Sequence, residues 1–278
     1  MGKAINKKIK SKDGINIYYD TYDPGANKGP TLFFVHGVGG DLDAWQYLRK
    51  VLHKKGFSSI AMDLRGHGYS DHPCTSSQYQ LNNFIDDVIS VVDAEEIDKV
   101  ILIGHSLGAV LTTHVALYHQ DRIERLILIS SSYLPPAYFK IPGIFLLTDL
   151  LAFLSPPPVY PGHSSYPQGK HHKDIEIFGL IRTIMRNSFK SYALSSKEIL
   201  KSNIEQDLKT IKVPTLIISG DRDSVFPARI SKYLHSQISG SELKIIGGAN
   251  HVIVLNNVDE TVKCIYNFLS KQKFQPGC

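Results

Sequence analysis

The chain has 278 residues, of which 42% are hydrophobic and 21% are charged, and its formal net charge at pH 7 is +5. This length and composition are typical of a globular protein with a full hydrophobic core, and we expect one large domain that carries an insertion. The sequence has no basic stripe interleaved with aromatic residues and no run of roughly 18 apolar residues, which argues against nucleic acid as a partner and against a membrane span.

Eight segments have the pattern of β-strands. Ile9 before Asp13-Gly14 and the run from Ile15 to Tyr19 after it predict an antiparallel hairpin at the start of the chain. Residues 31–35 form a short apolar run, as expected for a strand buried on both faces of a sheet. Five further strands are predicted over residues 58–63, 99–103, 125–130, 214–219 and 242–246.

Helical patterns separate most of these strands. Strands that alternate with helices form parallel βαβ units with right-handed crossovers. The predicted fold is therefore α/β, with a mostly parallel eight-stranded sheet and helices on both faces. The predicted helices cover residues 44–52, 83–92, 107–118 and 258–269.

One connection between predicted strands, from residue 132 to residue 213, is about 80 residues long, whereas such loops usually have roughly 2–6 residues. We therefore predict a helical cap over residues 133–212, inserted into a core formed by residues 1–132 and 213–278. Helical patterns within the cap cover residues 139–154, 174–187 and 195–206.

The first cap segment, from Phe139 to Leu154, is too short to span a bilayer and too apolar for an ordinary surface helix. Two interpretations remain open: a lid packed over an apolar pocket, or a lid that makes transient contact with a membrane surface. Either interpretation favours a substrate with an acyl or alkyl chain over a charged one.

Gly104-His105-Ser106-Leu107-Gly108 lies between a predicted buried strand and a predicted helix. This context is typical of a sharp strand-to-helix turn that projects a nucleophilic serine hydroxyl from the end of a sheet. The glycines on either side leave room for the close approach of neighbouring backbone. We therefore predict that Ser106 is a catalytic nucleophile.

A serine hydroxyl attacks efficiently only if a neighbouring base removes its proton, and the base needs an acid that fixes its tautomer. His251 follows the last predicted strand in a glycine-bearing loop and is the predicted base. Asp221 and Asp223 both follow the strand before it. Asp223 is the preferred acid, because Asp221 directly follows Gly220 and is better placed to bond the backbone of its own turn.

Acyl transfer also requires hydrogen-bond donors for the developing oxyanion, commonly two backbone N–H groups. Leu107 supplies one from the start of its helix. We expect the second from Val38, in the glycine-rich loop His36-Gly37-Val38-Gly39-Gly40 after the strand at 31–35. Gly37 and Gly39 are expected to shape that turn.

Other residues are given no chemical role. His163, His171 and His172 lie on a loop rich in Pro and Gly with no carboxylate spaced as a partner, so we expect them to be solvated rather than to bind a metal. Trp45 is expected in the core. No metal or organic cofactor is expected.

Five segments of the chain resemble the α/β-hydrolase superfamily, and within it the capped esterase, lipase and haloperoxidase-like branch. They are His36-Gly37-Val38-Gly39-Gly40, Asp63-Leu64-Arg65-Gly66-His67-Gly68-Tyr69-Ser70, residues 104–108, residues 220–223 and Asn250-His251. The resemblance covers nearly the whole chain apart from the cap. It implies that the residue matching Asp223 is the usual acid. It also implies that Arg65-Gly66-His67-Gly68 is a structural loop near the site.

Differences from the motifs of some superfamily members argue against several reactions. Haloalkane dehalogenases and epoxide hydrolases carry an aspartate where this chain has Ser106. Proline-specific aminopeptidases usually have Gly-Gly-Ser-Trp-Gly, whereas this chain has His105 and Leu107 in place of the second Gly and the Trp. We therefore expect a hydrolase of apolar, small-molecule carboxylic esters that forms an acyl-enzyme on Ser106. Two alternatives remain: a carbon–carbon bond or lactone hydrolase with the same triad, and a hydrolase-fold ligand receptor with little turnover.

Three cysteines, Cys74, Cys264 and Cys278, are scattered along the chain. Their odd number and irregular spacing argue against a disulfide framework. The basic start of the chain is not followed by the apolar stretch of a secretory signal. We therefore expect a cytoplasmic protein.

Overall fold

The computed structural model describes residues 4–25, 29–135, 137–167, 172–174 and 177–271. Its strands are β1 (Ala4–Lys10), β2 (Asn16–Tyr22), β3 (Thr31–Val35), β4 (Ser59–Met62), β5 (Val100–His105), β6 (Ile123–Ile129), β7 (Thr215–Gly220) and β8 (Glu242–Ile246). They form one eight-stranded sheet in the order β1-β2-β4-β3-β5-β6-β7-β8. β2 is antiparallel to both of its neighbours, β1 and β4. The other six strands, β3 to β8, all run parallel to one another. The predicted hairpin and the mostly parallel sheet are confirmed.

The helices are α1 (Gln46–Lys54), α2 (Leu81–Ala94), α3 (Leu107–Tyr118), α4 (Ile144–Leu154), α5 (Ile177–Leu200), α6 (Ala228–Gln237), α7 (Ile253–Asn256) and α8 (Val258–Ser270). The sequence predicted α1, α2, α3 and α8 in their places. It missed α6, whose apolar signal is short because it depends mainly on Ile230 and Leu234, one turn apart.

Alternate residues of the central strands face two separate cores. In β3, Phe33 and Val35 pack with α2 and α3, whereas Leu32 and Phe34 pack with α1 and α8. Helices therefore cover both faces of the sheet, as predicted, and this explains why the strands are continuous apolar runs. Trp45 is fully buried in the second core, which confirms its predicted position.

The helices between β6 and β7 differ from the sequence prediction. α4 begins at Ile144 instead of residue 139, because Gly143 before it adopts a left-handed conformation with φ of 77°. The two helices predicted over residues 174–187 and 195–206 are wrong in their bounds. A single element, α5, runs from Ile177 to Leu200 and is interrupted at Ser188, where φ is 65° and ψ is 155°.

Residues 201–206 leave the helical path for a local reason. The Asn203 side chain accepts the backbone N–H of Glu205 at 3.0 Å, and the N–H of Ile204 donates to the carbonyl oxygen of Tyr133 at 3.2 Å. Asparagine favours such turns because its side chain competes with the helical backbone bonds. The predicted continuation of the helix to Gln206 is therefore wrong.

α4 exposes most of its apolar side chains. Ala152 is buried, but the exposed fractions of Leu146 and Phe153 are 76% and 80%. A lid packed over an apolar pocket was one of the two interpretations of this segment, but such packing accounts for only a small part of the surface of α4. None of the helices in the described ranges is long and apolar enough to cross a membrane.

Candidate active site

Ser106 lies between β5 and α3, at the carboxyl end of the central strands. Its φ is 53° and its ψ is −120°, a conformation that costs a residue with a side chain about 1–3 kcal/mol. Its backbone N–H donates to the carbonyl oxygen of Ile129, at the end of β6, at 3.0 Å. The sharp strand-to-helix turn predicted here is confirmed.

The glycines on either side of Ser106 permit close backbone contacts. A Cβ on Gly108 would lie 2.3 Å from the carbonyl oxygen of Val35 and 2.4 Å from that of His36. A Cβ on Gly104 would lie 2.5 Å from the carbonyl oxygen of Gly108. Since real Cβ atoms do not come so close, only glycine allows α3 to begin directly beside the end of β3.

Ser106, His251 and Asp223 form a continuous line of hydrogen-bonded side chains. Ser106 Oγ lies 2.8 Å from His251 Nε2, and His251 Nδ1 lies 3.0 and 2.9 Å from the two carboxylate oxygens of Asp223. Asp223 follows β7 and His251 follows β8, so neighbouring parallel strands carry both side chains to the edge of the sheet where Ser106 lies. The three residues are buried. The fold thus brings together the residues that the sequence predicted as nucleophile, base and acid.

The charge state of Asp223 fixes the direction of these bonds. Burial alone would raise the pKa of Asp223, but hydrogen bonds from His251 and from the N–H of Phe226 hold it below its ordinary value. The carboxylate is therefore ionised at neutral pH and accepts the Nδ1–H of His251. His251 Nε2 is then free to accept the hydroxyl proton of Ser106.

Asp221, the other candidate acid, has a different partner. It is exposed, and its Oδ1 accepts the backbone N–H of Gly248 at 2.7 Å. The expected bond within its own turn is therefore replaced by one to the loop that precedes His251. Asp221 supports that loop and does not contact the imidazole.

The two predicted oxyanion donors lie at the same cavity as Ser106. Val38 and Leu107 both line it, and their backbone N–H groups donate to no other residue within the described ranges. A Cβ on Gly37 would lie 3.1 Å from the Ser106 Cβ, so the glycine-rich loop passes directly against the serine. Two unpaired N–H groups are thus available near Ser106.

His36 holds this loop through both of its ring nitrogens. Its Nε2 accepts the backbone N–H of Leu64 at 3.0 Å, so the ring proton must be on Nδ1, which donates to the carbonyl oxygen of Gly37 at 2.7 Å. Burial lowers the pKa of His36, which keeps the ring neutral and this pattern intact.

Asp174, which the sequence placed in a helix and gave no role, joins the loops of the acid and the base. Its Oδ1 accepts the backbone N–H of His251 at 2.5 Å. Its Oδ2 accepts the N–H and the hydroxyl of Ser224, the residue after Asp223, at 3.0 and 2.7 Å. No pattern in the sequence signals this contact, because it connects a loop between β6 and β7 to two distant turns.

The neighbouring His172 also contacts the loop of His251, but through its backbone. Its carbonyl oxygen accepts the side-chain amides of Asn250 and Asn256, each at 2.7 Å. His171, considered as a metal ligand in the sequence, lies outside the described residues. Within the described ranges, no group of three or more His, Cys, Asp or Glu side chains is arranged to hold a metal ion.

His163 contradicts the expectation that it is solvated and without a carboxylate partner. Its Nε2 lies 2.8 Å from Asp63 Oδ2, and its Nδ1 lies 3.1 Å from Asp43 Oδ2. Burial alone would lower the pKa of His163, but hydrogen bonds to Asp43 and Asp63 raise it to about 10. The ring is therefore positively charged at neutral pH. It forms ion pairs with Asp43 and Asp63 and so bridges the connections that follow β3 and β4.

A second bond supports this bridge. Asp41 accepts the backbone N–H of Ser164 at 2.6 Å. Burial raises the pKa of Asp41 to about 6, although this hydrogen bond acts in the opposite direction. We refer to residues 163 and 164 with their three aspartates, Asp41, Asp43 and Asp63, as the His163 bridge.

The Arg65-Gly66-His67-Gly68 segment is held by one buried and one partly exposed ion pair. Arg65 is fully buried and contacts Asp87 and Asp13, each at 2.7 Å. A Cβ on Gly68 would lie 2.2 Å from Asp63 Oδ2. These contacts are those of a packed structural loop.

A cavity of about 740 Å³ opens beside Ser106. Its apolar lining comes from the stretch after β6, from α5 and from the stretch that leads into α6. Leu134, Phe139, Leu200 and Phe226 are among these residues. This volume is within the usual range for small-molecule sites.

Comparison with known proteins places this geometry in a family. A family model described as Hydrolase_4, serine aminopeptidase, S33, matches residues 26–258. A putative esterase/lipase of Haemophilus influenzae is 27% identical over 275 residues, which cover 95% of this chain and 91% of that protein. A bifunctional esterase/perhydrolase of Acinetobacter calcoaceticus is 27% identical over 238 residues, which cover 80% and 84% of the two chains.

The solved structure of an enol-lactonase from Burkholderia xenovorans LB400 has a TM-score of 0.75 to this chain at 22% identity, covering 95% of this chain and 100% of that one. At this identity the likeness concerns the fold. The sheet, the inserted helices and the family match agree with the resemblance seen in the sequence. The chain belongs to the serine aminopeptidase S33 family of the α/β-hydrolase superfamily and is a hydrolase of that fold.

Proposed function

We propose that this protein hydrolyses carboxylic esters through an acyl-enzyme on Ser106. The observation that carries the proposal is the line of hydrogen bonds from Ser106 Oγ through His251 to Asp223, with distances of 2.8 and 2.9 Å, beside an open cavity. A serine hydroxyl bonded to an imidazole, which is itself held by an ionised carboxylate, is equipped for nucleophilic attack.

In the first step, His251 Nε2 removes the hydroxyl proton while Ser106 Oγ attacks the carbonyl carbon. The carbonyl electron pair moves to the oxygen, and the N–H groups of Val38 and Leu107 hold the resulting oxyanion. Removing one such donor typically costs about 3–4 kcal/mol in the transition state. Asp223 stabilises the imidazolium that forms.

In the second step, the imidazolium of His251 gives its proton to the alcohol oxygen, which leaves, and the acyl group stays on Ser106 Oγ. A water molecule then loses a proton to His251, attacks the acyl carbon and releases the carboxylic acid. Ser106 regains its proton and the cycle closes. This chemistry requires no metal or organic cofactor.

The cavity lining supports an ester in preference to a peptide with a free amino terminus. Such a terminus is largely cationic at neutral pH, and its binding calls for carboxylates. Among the described lining residues there is no Asp or Glu, whereas Lys140, Lys197 and Arg229 are present. A lactone is a cyclic ester and the same residues would open it, so lactones belong to the same substrate panel.

We assign residues 133–212 as a cap and residues 1–132 and 213–278 as the core. The apolar walls support this division, because Leu134, Phe139 and Leu200 come from the assigned cap and face a cavity whose serine comes from the core. Such walls favour an acyl or alkyl group next to the scissile bond.

The exposed apolar surface of α4 supports transient contact with a lipid surface. Asp149, the only charged residue of α4, is paired with Lys197 at 2.6 Å, and Thr148 of the same helix lines the cavity. Replacing Leu146 and Phe153 by Asp is expected to abolish flotation with phosphatidylcholine vesicles while hydrolysis of a water-soluble ester continues. Equal flotation of the variant and the wild type would remove this part of the proposal.

A cytoplasmic location is part of the same proposal. Cys74 and Cys264 are free thiols, and free thiols are typical of reducing compartments. Cys278 lies outside the described residues.

The proposal is tested by labelling with a fluorophosphonate probe and by turnover of p-nitrophenyl esters, a lactone and a chromogenic ring-fission product. We expect labelling and ester turnover in the wild type and neither in Ser106→Ala. Ser196→Ala is the matched control, because Ser196 also lines the cavity but bonds no histidine in the part of the chain that the structure describes. Labelling without multiple turnover would favour a ligand receptor, and faster cleavage of the ring-fission product would favour a carbon–carbon hydrolase.

A further inference from the structure

The cavity beside Ser106 has an unbalanced charge. Three cationic side chains line it, and among its described lining residues there is no carboxylate. Lys197 is neutralised by Asp149, at 2.6 and 2.7 Å from its two carboxylate oxygens. Lys140 and Arg229 have no hydrogen-bond or ion-pair partner in the part of the chain that the structure describes. The cavity therefore presents two uncompensated positive charges.

These two charges lie on neighbouring walls. Lys140 ends the short helical turn Ala137–Lys140 after β6, and Arg229 lies in the first turn of α6. The ring of Tyr133 stacks on that of Tyr233 in α6, with centroids 4.5 Å apart, so the stretch after β6 runs along α6. Both cations therefore face one space from adjacent elements.

The wall that carries Arg229 is continuous with the catalytic residues proposed above. Phe226 packs edge-on against the ring of His251, with centroids 5.4 Å apart, and lies three residues before Arg229. The carboxylate bonded to this wall, Asp174, already accepts hydrogen bonds from Ser224 and from the His251 backbone. It supplies no ion pair to Arg229.

Two like charges that share a concave, partly apolar space raise the local concentration of anions and favour a bound negative group. Both residues are exposed, so a substrate without charge would leave them in contact with solvent and would gain nothing from them. A carboxylate or phosphate group on the substrate would accept hydrogen bonds from the ammonium or guanidinium group.

We propose that the substrate is an anionic ester, whose alkyl part and scissile bond lie in the apolar part of the cavity and whose carboxylate or phosphate is bound by Lys140 and Arg229. This inference rests on the proposed ester hydrolysis at Ser106. It replaces the expectation of an uncharged apolar substrate by that of an amphiphile with one apolar and one negative part.

The test compares three esters of similar length and leaving group. p-Nitrophenyl butyrate is neutral, mono-p-nitrophenyl glutarate carries a carboxylate on the acyl side, and 5-butyryloxy-2-nitrobenzoate carries one on the alcohol side. For each ester, kcat/KM is measured for the wild type, Lys140→Gln, Arg229→Gln, the double variant and Lys232→Gln. Lys232 is the matched control, because it is an exposed cation of α6 that does not line the cavity.

For each anionic ester, its kcat/KM is divided by the kcat/KM of the butyrate. We expect this ratio, for at least one of the two anionic esters, to fall about 3- to 5-fold in each single variant and about tenfold in the double variant. The fall should come mainly from KM. The ester that responds identifies the side of the scissile bond that carries the charge. The wild-type ratio should also fall as salt is raised, because salt screens exposed charges. Lys232→Gln should keep the wild-type ratio.

Unchanged ratios for both anionic esters in the double variant would overturn the inference. Ester turnover that still depends on Ser106 would then leave the proposed function standing. Turnover of the butyrate that survives Ser106→Ala would instead remove the proposed function itself.

Discussion

Replacing His163 by Gln removes the central cation of the His163 bridge. The ring lies between Asp63 and Asp43, at 2.8 and 3.1 Å, and only 15% of its side chain is exposed. The glutamine amide can still donate hydrogen bonds but carries no charge, so both carboxylates lose their ionic partner. We expect this substitution to lower the free energy of unfolding in a manner that depends on pH.

The magnitude follows from the pKa of His163, which is raised from 6.5 to about 10 in the folded protein. A raised pKa means that the stabilisation is fully present below about pH 6.5 and is lost as the pH rises through about 10. One pKa unit corresponds to about 1.4 kcal/mol, so the shift sets an upper limit of about 5 kcal/mol. Because the ring is partly exposed and its partners repel one another, we expect about 2–4 kcal/mol.

The assay is urea unfolding, followed by the fluorescence of the buried Trp45, at several pH values between about 6 and 10. The difference between the wild type and His163→Gln should be about 2–4 kcal/mol at the acidic end and should shrink below about 1 kcal/mol at the alkaline end. His235→Gln is the control, because His235 is exposed and, among the described residues, its ring bonds only to Ser241. A difference that stays constant across this range would show that the charge of His163 does not stabilise the fold.

Three further substitutions test the site. Gly108→Ala should cost about 2–4 kcal/mol of stability and abolish ester hydrolysis, because its Cβ would lie 2.3 Å from a carbonyl oxygen, whereas Gly247→Ala, with nothing within 4 Å, should not. Asp174→Asn should lower kcat about tenfold, with little change in KM or in the unfolding midpoint, and an unchanged kcat would contradict its positioning role. Asp223→Asn should lower kcat by about 10³-fold or more, and Asp221→Asn by less than about 3-fold; a larger loss in the second variant would reverse their roles.

The sequence predicted those parts of the molecule that depend on neighbouring residues. The turn at Ser106 was predictable because a buried strand, two glycines and a helix follow one another within a short stretch. The preference for Asp223 over Asp221 was also local, since it depended on the distance of each from Gly220. The strands were predictable because residues such as Phe33 and Phe34 face apolar cores on both sides of the sheet.

The parts that the sequence did not predict depend on contacts between distant segments. His163 meets Asp63 across 100 positions, and no local pattern indicates that pairing. Asp174 likewise bonds the loops of Ser224 and His251 only because the chain between β6 and β7 returns to the edge of the sheet. The interruption of α5 at Ser188 is similar, because Ser188 and Ser191 are buried and bonded to each other, with Tyr79 bonded to Ser191.

Mass analysis of the protein after acid quench, during turnover of a p-nitrophenyl ester, identifies the residue that carries the acyl group. If Ser106 is the nucleophile, the peptide that contains it gains the mass of the acyl group, and Ser106→Ala shows neither this adduct nor ester turnover above about 10⁻³ of the wild-type rate. An acyl group found only on another residue, or wild-type turnover by Ser106→Ala, would show that Ser106 is not the nucleophile.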